Sequence, residues 1–158
     1  MRVGIATDRG GFGLKKEFVV QLRAAGHDVV DCGAHRLDPA DDYPDFVIPV
    51  ARAVAAGSVE RGVAICGSGV GASVCANKFP EIRAARIHDH FSAKHGVEDD
   101  AINIICVDGR SIGPAAAWDV VEAFLTGRFS GAERHLRRLG KVASLGTQAS
   151  ENVSSKTR

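Results

Sequence analysis

No apolar run in the chain approaches the ~20 residues that a membrane span needs. The N-terminus, Met-Arg-Val-Gly-Ile-Ala-Thr-Asp, enters a strand-like run with no signal-peptide core. An excess of charge is missing too: 20 Lys and Arg against 19 Asp and Glu leave a formal +1. No global field therefore gathers nucleic acid or anionic lipid, and any anion must be held by local basic groups. The four cysteines, Cys32, Cys66, Cys75 and Cys106, form no C-x-x-C pair, and their spacings fit no structural zinc site. His88, His90 and His95 have no acid-rich metal motif beside them. These absences give the expectation of a cytoplasmic, reduced protein with no metal, no cofactor, no nucleic-acid partner and no membrane contact.

What is present suits one soluble domain: 158 residues, 45% apolar and 25% charged. Short β-branched or aliphatic runs alternate with helical periods. Strands are expected at Val3–Thr7, Asp28–Cys32, Gly62–Cys66, Arg83–Ile87 and Ile102–Val107. Leu14, Phe18 and Leu22 mark one helix face, and Phe46, Val47, Val50, Ala51 and Val54 mark another. A short helix to Lys78, one over Pro114–Leu125 and a last one over Gly131–Leu145 follow. The segment 146–158, rich in Ser, Thr and Asn, reads as a mobile tail behind a domain over 1–145. The pattern predicts an α/β fold, a three-layer doubly wound, Rossmann-like sandwich around a five-stranded parallel sheet.

Ligands of such sheets gather at the carboxyl ends of the strands. That edge carries Asp8-Arg9-Gly10-Gly11, Cys66-Gly67-Ser68-Gly69-Val70-Gly71, His88-Asp89 and Asp108-Gly109-Arg110. The three glycines of the second turn allow a sharp bend that points N–H groups into the crevice. A free cysteine ionises near pH ~8.5, and a helix N-terminus favours the thiolate. A thiolate beside an N–H cradle can take a proton α to a carbonyl while the cradle holds the oxyanion. The plainer reading is that Cys66 ends a buried strand. A rival reading takes Gly67-x-Gly69-x-x-Ala72 with Asp89 as a dinucleotide fingerprint, although too little chain remains for a separate substrate domain. Arg134 and Arg138, four apart on the last helix, can project toward one anion or form a solvated basic face.

Taken together, the motifs resemble the B-type ribose-5-phosphate isomerases and the galactose-6-phosphate isomerase subunits. The matching pieces are Thr7-Asp8 with Gly11, Asp42-Tyr43-Pro44, Cys66-Gly67-Ser68-Gly69-Val70-Gly71, Ala76-Asn77-Lys78, Gly109-Arg110 and Arg134-His135 with Arg138. The resemblance implies a homodimer, or a tetramer of two paired dimers, with the C-terminal helix packed on the partner and each site shared. It implies Cys66 as the base that moves a proton between C2 and C1 through an enediolate, and Ser68 as the hydroxyl that shuttles protons between O1 and O2. Asp8, Arg9, Tyr43, Gly67, Gly69, Val70, Gly71, Asp100 and Asn103 match substrate-binding positions, and Arg110, Arg134 and Arg138 match phosphate ligands. Part of the family carries a glutamate base where this chain has Ala72.

Two departures stand out. Arg9 replaces the usual histidine; it can hold phosphate but cannot shuttle protons. Asp99 replaces the histidine that opens the furanose ring, within Asp99-Asp100-Ala101-Ile102-Asn103, unless Glu98-Asp99-Asp100 is only a solvated acidic loop. Either Asp99 takes over that acid–base role, or the substrate scarcely needs it, as for a tetrose 4-phosphate. The expected activity is ribose 5-phosphate to ribulose 5-phosphate isomerisation. The alternatives are another phosphosugar (tetrose 4-phosphate or hexose 6-phosphate) or a non-catalytic nucleotide- or phosphosugar-binding module.

Overall fold

Five strands, β1 (Arg2–Thr7), β2 (Asp28–Asp31), β3 (Arg61–Cys66), β4 (Ala84–Arg86) and β5 (Ile104–Asp108), build the sheet of the computed structural model, which describes residues 1–155. Between and after them lie α1 (Phe12–Ala24), α2 (Pro44–Ala55), α3 (Val70–Ala76), α4 (His90–Asp100), α5 (Pro114–Thr126) and α6 (Glu133–Ser155). All strand pairs are parallel, in the order β2-β1-β3-β5-β4. The winding reverses between β1 and β3, which opens a crevice at their carboxyl ends. The expected doubly wound α/β sandwich is the observed fold.

Local chemistry sets the helix ends. Pro44 opens α2 and Pro114 opens α5, where a missing N–H costs nothing. Asp89 caps α4 by accepting the Ser92 N–H at 2.8 Å.

Strand alternation divides the core into two unequal faces. Val3, Ile5, Val63, Ile65, Ile105 and Val107 pack against Leu14, Phe18 and Leu22 of α1, Val97 of α4, and Val120, Val121 and Phe124 of α5. The intervening Ala6, Ala64, Cys66, Ile104 and Cys106 meet Val47, Val50 and Ala51 of α2 and Ala72 and Ala76 of α3. The second face is the smaller, so α2 comes very close. A Cβ added at Gly62 would lie 2.7 Å from Val50 Cγ1.

Some boundaries differ from expectation for traceable reasons. β4 is shorter and β5 starts later because Asn103 and Ile102 serve a turn. The Asn103 side chain accepts the Arg83 N–H at 2.9 Å, and the Ile102 N–H closes α4 on the Gly96 carbonyl at 3.1 Å. Glu98, Asp99 and Asp100 form the last turn of α4 rather than a loop, and Ala101 ends it at φ 50°. α6 continues past Leu145 to Ser155; the end of the expected tail, 156–158, lies outside the described residues.

At the carboxyl edge three turns touch main chain to main chain. A Cβ on Gly10 would lie 2.5 Å from the Gly67 nitrogen, and one on Gly109 would lie 2.6 Å from the Gly10 carbonyl oxygen. The Gly109 N–H also donates to the Cys66 carbonyl at 2.9 Å. Buried Asp108 braces this contact. Its Oδ1 accepts the Arg110 and Ser111 N–H groups at 2.7 and 2.8 Å. Its Oδ2 accepts the Ser111 hydroxyl and, at 3.3 Å, Nη2 of Arg86, whose Nε donates to the Ser68 carbonyl. Burial alone would raise the Asp108 pKa, but the Ser111 hydroxyl, the two N–H groups and the guanidinium outweigh it and hold it down to about 2.

A carboxylate held below its ordinary ~3.9 stabilises the fold above that value and loses its contribution as pH falls toward 2. Urea titration should find Asp108→Asn less stable than wild type by about 2 kcal/mol at pH 6. The gap should close between pH 4 and 2. An equal gap at pH 6 and pH 2.5 would refute the assignment.

Candidate active site

The crevice between the ends of β1 and β3 is a cleft of about 220 Å³, lined by Asp8, Arg9, Gly10, Tyr43, Cys66, Gly67, Ser68, Gly71 and Arg110. Cys66 closes its floor. As the last residue of β3 it lies on the small-residue face and is only 5% exposed, yet it lines the cleft. The Gly69 N–H points at Sγ from 3.0 Å, with the sulfur as acceptor. That geometry needs Gly69 at φ 74°, where a side chain is strained, and a Cβ there would lie 3.1 Å from the Cys106 carbonyl oxygen. Cys66 therefore ends a buried strand and also lines a crevice.

The walls follow from the neighbouring turns. Asp8 caps the turn after β1 by accepting the Gly10 N–H at 2.7 Å. Burial pushes its carboxyl above the ordinary carboxylate range, against the Gly10 N–H and the cations of Arg9 and Arg110, with Asp41 adding to the rise. Arg9 is held by Asp41: its N–H reaches Oδ1 at 3.2 Å, and Nη1 reaches the Asp41 carbonyl at 2.5 Å and Oδ1 at 3.3 Å. Tyr43 lies over the start of α3, where a Cβ on Gly71 would come within 2.8 Å of the ring. The exposed Ser68 hydroxyl accepts the Val70 N–H at 3.4 Å, while Arg86 fixes the Ser68 carbonyl from behind. Residues bearing a thiol, two hydroxyls, a carboxyl and two guanidinium groups thus line one small concavity.

Other expected site residues lie elsewhere in the same chain. Asp99 and Asp100 end α4, and Arg134 and Arg138 are exposed on α6. Asp99 Oδ1 sits 3.5 Å from Nε2 of His135, and that nitrogen accepts from Arg134 Nε at 2.8 Å. Asp99 and Arg134 therefore form a second cluster, separate from the cleft. Asn103 spends both ends of its amide on main chain, accepting from Arg83 and donating to the Glu81 carbonyl at 2.8 Å. Asn77 does the same for β4, accepting the Ala84 N–H at 2.9 Å and donating to its carbonyl at 2.8 Å. The Ala76-Asn77-Lys78 motif is accordingly structural at its asparagine. Asp89, the acid that a dinucleotide reading needs, is used as a helix cap. Among the described residues no three His, Cys, Asp or Glu side chains converge as a metal site.

Sequence reasoning overlooked Arg86, Asp41 and the bracing role of Asp108. Arg86 lies on a short edge strand and Asp41 in a polar loop, so neither carried a periodic or motif signal.

The chain as a whole is similar to known proteins. The family model described as Ribose/Galactose Isomerase matches residues 3–142. Ribose-5-phosphate isomerase B of Mycobacterium tuberculosis is 37% identical over 143 residues, covering 90% of this chain and 88% of that protein. The structure of Clostridium thermocellum ribose-5-phosphate isomerase B superposes with a TM-score of 0.90 at 39% identity, over 94% of this chain and 99% of the other. That of the Mycoplasma genitalium ribose-5-phosphate isomerase B with bound ribulose 5-phosphate gives 0.88 at 34% identity, over 92% and 96%. With its strand order, its cysteine-floored cleft and matches over nearly its whole length, the chain belongs to the ribose/galactose isomerase family.

Proposed function

We propose that the protein is an aldose–ketose isomerase that interconverts ribose 5-phosphate and ribulose 5-phosphate without a cofactor. The observation that carries this reading is the Cys66 sulfur on the floor of a small cleft, with a main-chain N–H aimed at it and Arg9 and Arg110 on the walls. The size of the cleft suits one phosphosugar.

In the forward direction the Cys66 thiolate takes the proton from C2 of the open-chain aldose. The C2 electron pair forms the C1=C2 bond, and O1 becomes the oxyanion of an enediolate, held by N–H groups of the Gly67–Gly71 turn. Ser68 passes the O2 proton to O1. Cys66 then returns its proton to C1, which leaves a carbonyl at C2. Asp8, with its carboxyl pushed up by burial, is suited to hydrogen-bonding a sugar hydroxyl.

The cleft is open on one side. Asp99, Arg134 and Arg138 form an acid–base and anion-binding set on another part of the surface. We assign them to the cleft of a second copy, in a homodimer whose sites each draw on both chains. The apolar side chains Leu136, Val142 and Leu145, exposed on α6, and Val70 and Val74, exposed on α3, support such an association. Arg110 of one chain and Arg134 and Arg138 of the other would then surround the phosphate.

Asp99 in place of a histidine favours a second reading, a substrate that needs little ring opening. A tetrose 4-phosphate lacks the hydroxyl for a furanose ring, so kinetics with erythrose 4-phosphate and ribose 5-phosphate side by side decide between them. If Asp99 opens the ring, Asp99→Asn should slow ribose 5-phosphate by about a hundredfold and leave erythrose 4-phosphate within about threefold. Equal losses on both sugars would remove Asp99 from ring opening. Cys66→Ala should lower kcat about a thousandfold while calorimetry finds phosphosugar affinity within about twofold. Retained turnover would refute the assigned base.

A further inference from the structure

Asp99 and Arg134 share a buried neighbour, whose bearing on substrate rests on the assignment of both side chains to the cleft of a second copy. His135, in the first turn of α6, is 1% exposed. Its Nδ1 lies 2.7 Å from Ser130 Oγ, and its Nε2 accepts from Arg134 Nε at 2.8 Å and lies 3.5 Å from Asp99 Oδ1. A nitrogen that accepts from a guanidinium carries no proton, so this arrangement puts the ring proton on Nδ1, donated to Ser130. Ser130 is itself fixed. Its N–H donates to the Glu98 carbonyl at 3.0 Å, and its hydroxyl oxygen accepts the Ala132 N–H at 3.3 Å. The imidazole therefore stands on a support tied to the last turn of α4.

That last turn is an unfavourable place for carboxylates, because the helix dipole puts negative charge there already. Glu98 has Lys94 at 3.9 Å as a counter-charge, with His95 at 4.0 Å beside it. Asp99 Oδ1 lies 3.5 Å from His135 Nε2, the nitrogen that accepts from Arg134. A buried histidine can be a satisfied core group and nothing more. Here its one free nitrogen meets two side chains that the sequence independently marked for substrate, one for acid–base work and one for phosphate.

We propose that His135 is a positioning residue that holds the Arg134 guanidinium in place beside the Asp99 carboxylate, so that it meets the phosphate of a bound phosphosugar. Without the imidazole, Arg134 loses the acceptor that fixes its Nε edge, and a long, exposed side chain must be ordered by the phosphate alone. The consequence is a weaker hold on phosphate.

The test uses the full-length enzyme with ribose 5-phosphate, comparing His135→Phe and His135→Gln, each alone and combined with Arg134→Ala. Arg134→Ala by itself checks the underlying site: if it leaves KM unchanged, the assignment of α6 to the cleft fails, and this proposal fails with it. If Arg134→Ala raises KM, His135→Phe should raise it about tenfold, the scale of one hydrogen bond to a charged group. His135→Gln, whose side-chain carbonyl can accept from Arg134, should recover most of that loss. In the Arg134→Ala background neither substitution should change KM further. A His135→Phe enzyme with wild-type KM, or one whose KM rises equally with and without Arg134, would overturn the positioning role and leave the site assignment standing. Should thermal melting find the Phe variant unfolded, Ser130→Ala, which removes the support of the ring, decides instead. It should raise KM about threefold in wild type and not at all in Arg134→Ala; no rise in wild type would overturn the proposal.

Discussion

Three main-chain turns meet at one point of the sheet edge, and the cleft exists because they can. The strand order places the ends of β1, β3 and β5 side by side, so the turns after them must share the same space. Gly10 and Gly109 let them do so; at 2.5 and 2.6 Å, an added Cβ at either would overlap a neighbouring main-chain atom. The contact fixes the floor of the cleft at Cys66 and directs the side chains just beyond it, Arg9, Ser68 and Arg110, around it. Asp108 and Arg86 hold the assembly from behind, through a carboxylate whose ionised form the surrounding donors strongly favour.

The sheet contributes a second constraint. Its two faces differ in side-chain size, and Cys66 belongs to the smaller one, where Ala6, Ala64 and Cys106 leave room for α2 and α3 to approach. Tyr43 opens α2 and the glycine turn opens α3, so that close packing also brings the tyrosine ring over Gly71. Cleft-lining side chains on different turns are thereby placed by helix–sheet packing as well as by the contact between the turns. The apolar bulk sits on the other face, where Phe18, Phe124 and the larger strand residues give the fold most of its buried surface.

Much of this was legible in the sequence because period and punctuation agree. Runs such as Val63-Ala64-Ile65 and the Leu14, Phe18, Leu22 face have one sensible reading, and glycine clusters after strands mark where ligands collect. Long-range pairings were not legible. Asp99, Asp100 and Glu98 look like a solvated loop because charge says nothing about whether a helix ends there, and only Ala101 with the Ile102 N–H decides it. Asn103 matched a substrate-binding position, and its amide also bridges Glu81 and Arg83, partners about twenty residues away in the chain. Arg86 and Asp41 gave no local signal, since each acts on a turn contributed by a different strand.

The proposed isomerisation in this cleft depends on sulfur acting as a base toward carbon. Ribose 5-phosphate deuterated at C2 provides the most direct measurement, with deuterium release into water followed by NMR as the sugar turns over. The wild-type enzyme should release the label into solvent or carry it to C1 at a rate matching turnover, and Cys66→Ser, which keeps the shape of the cleft, should do neither. Deuterium leaving C2 at an undiminished rate in the serine enzyme would contradict the role given to Cys66.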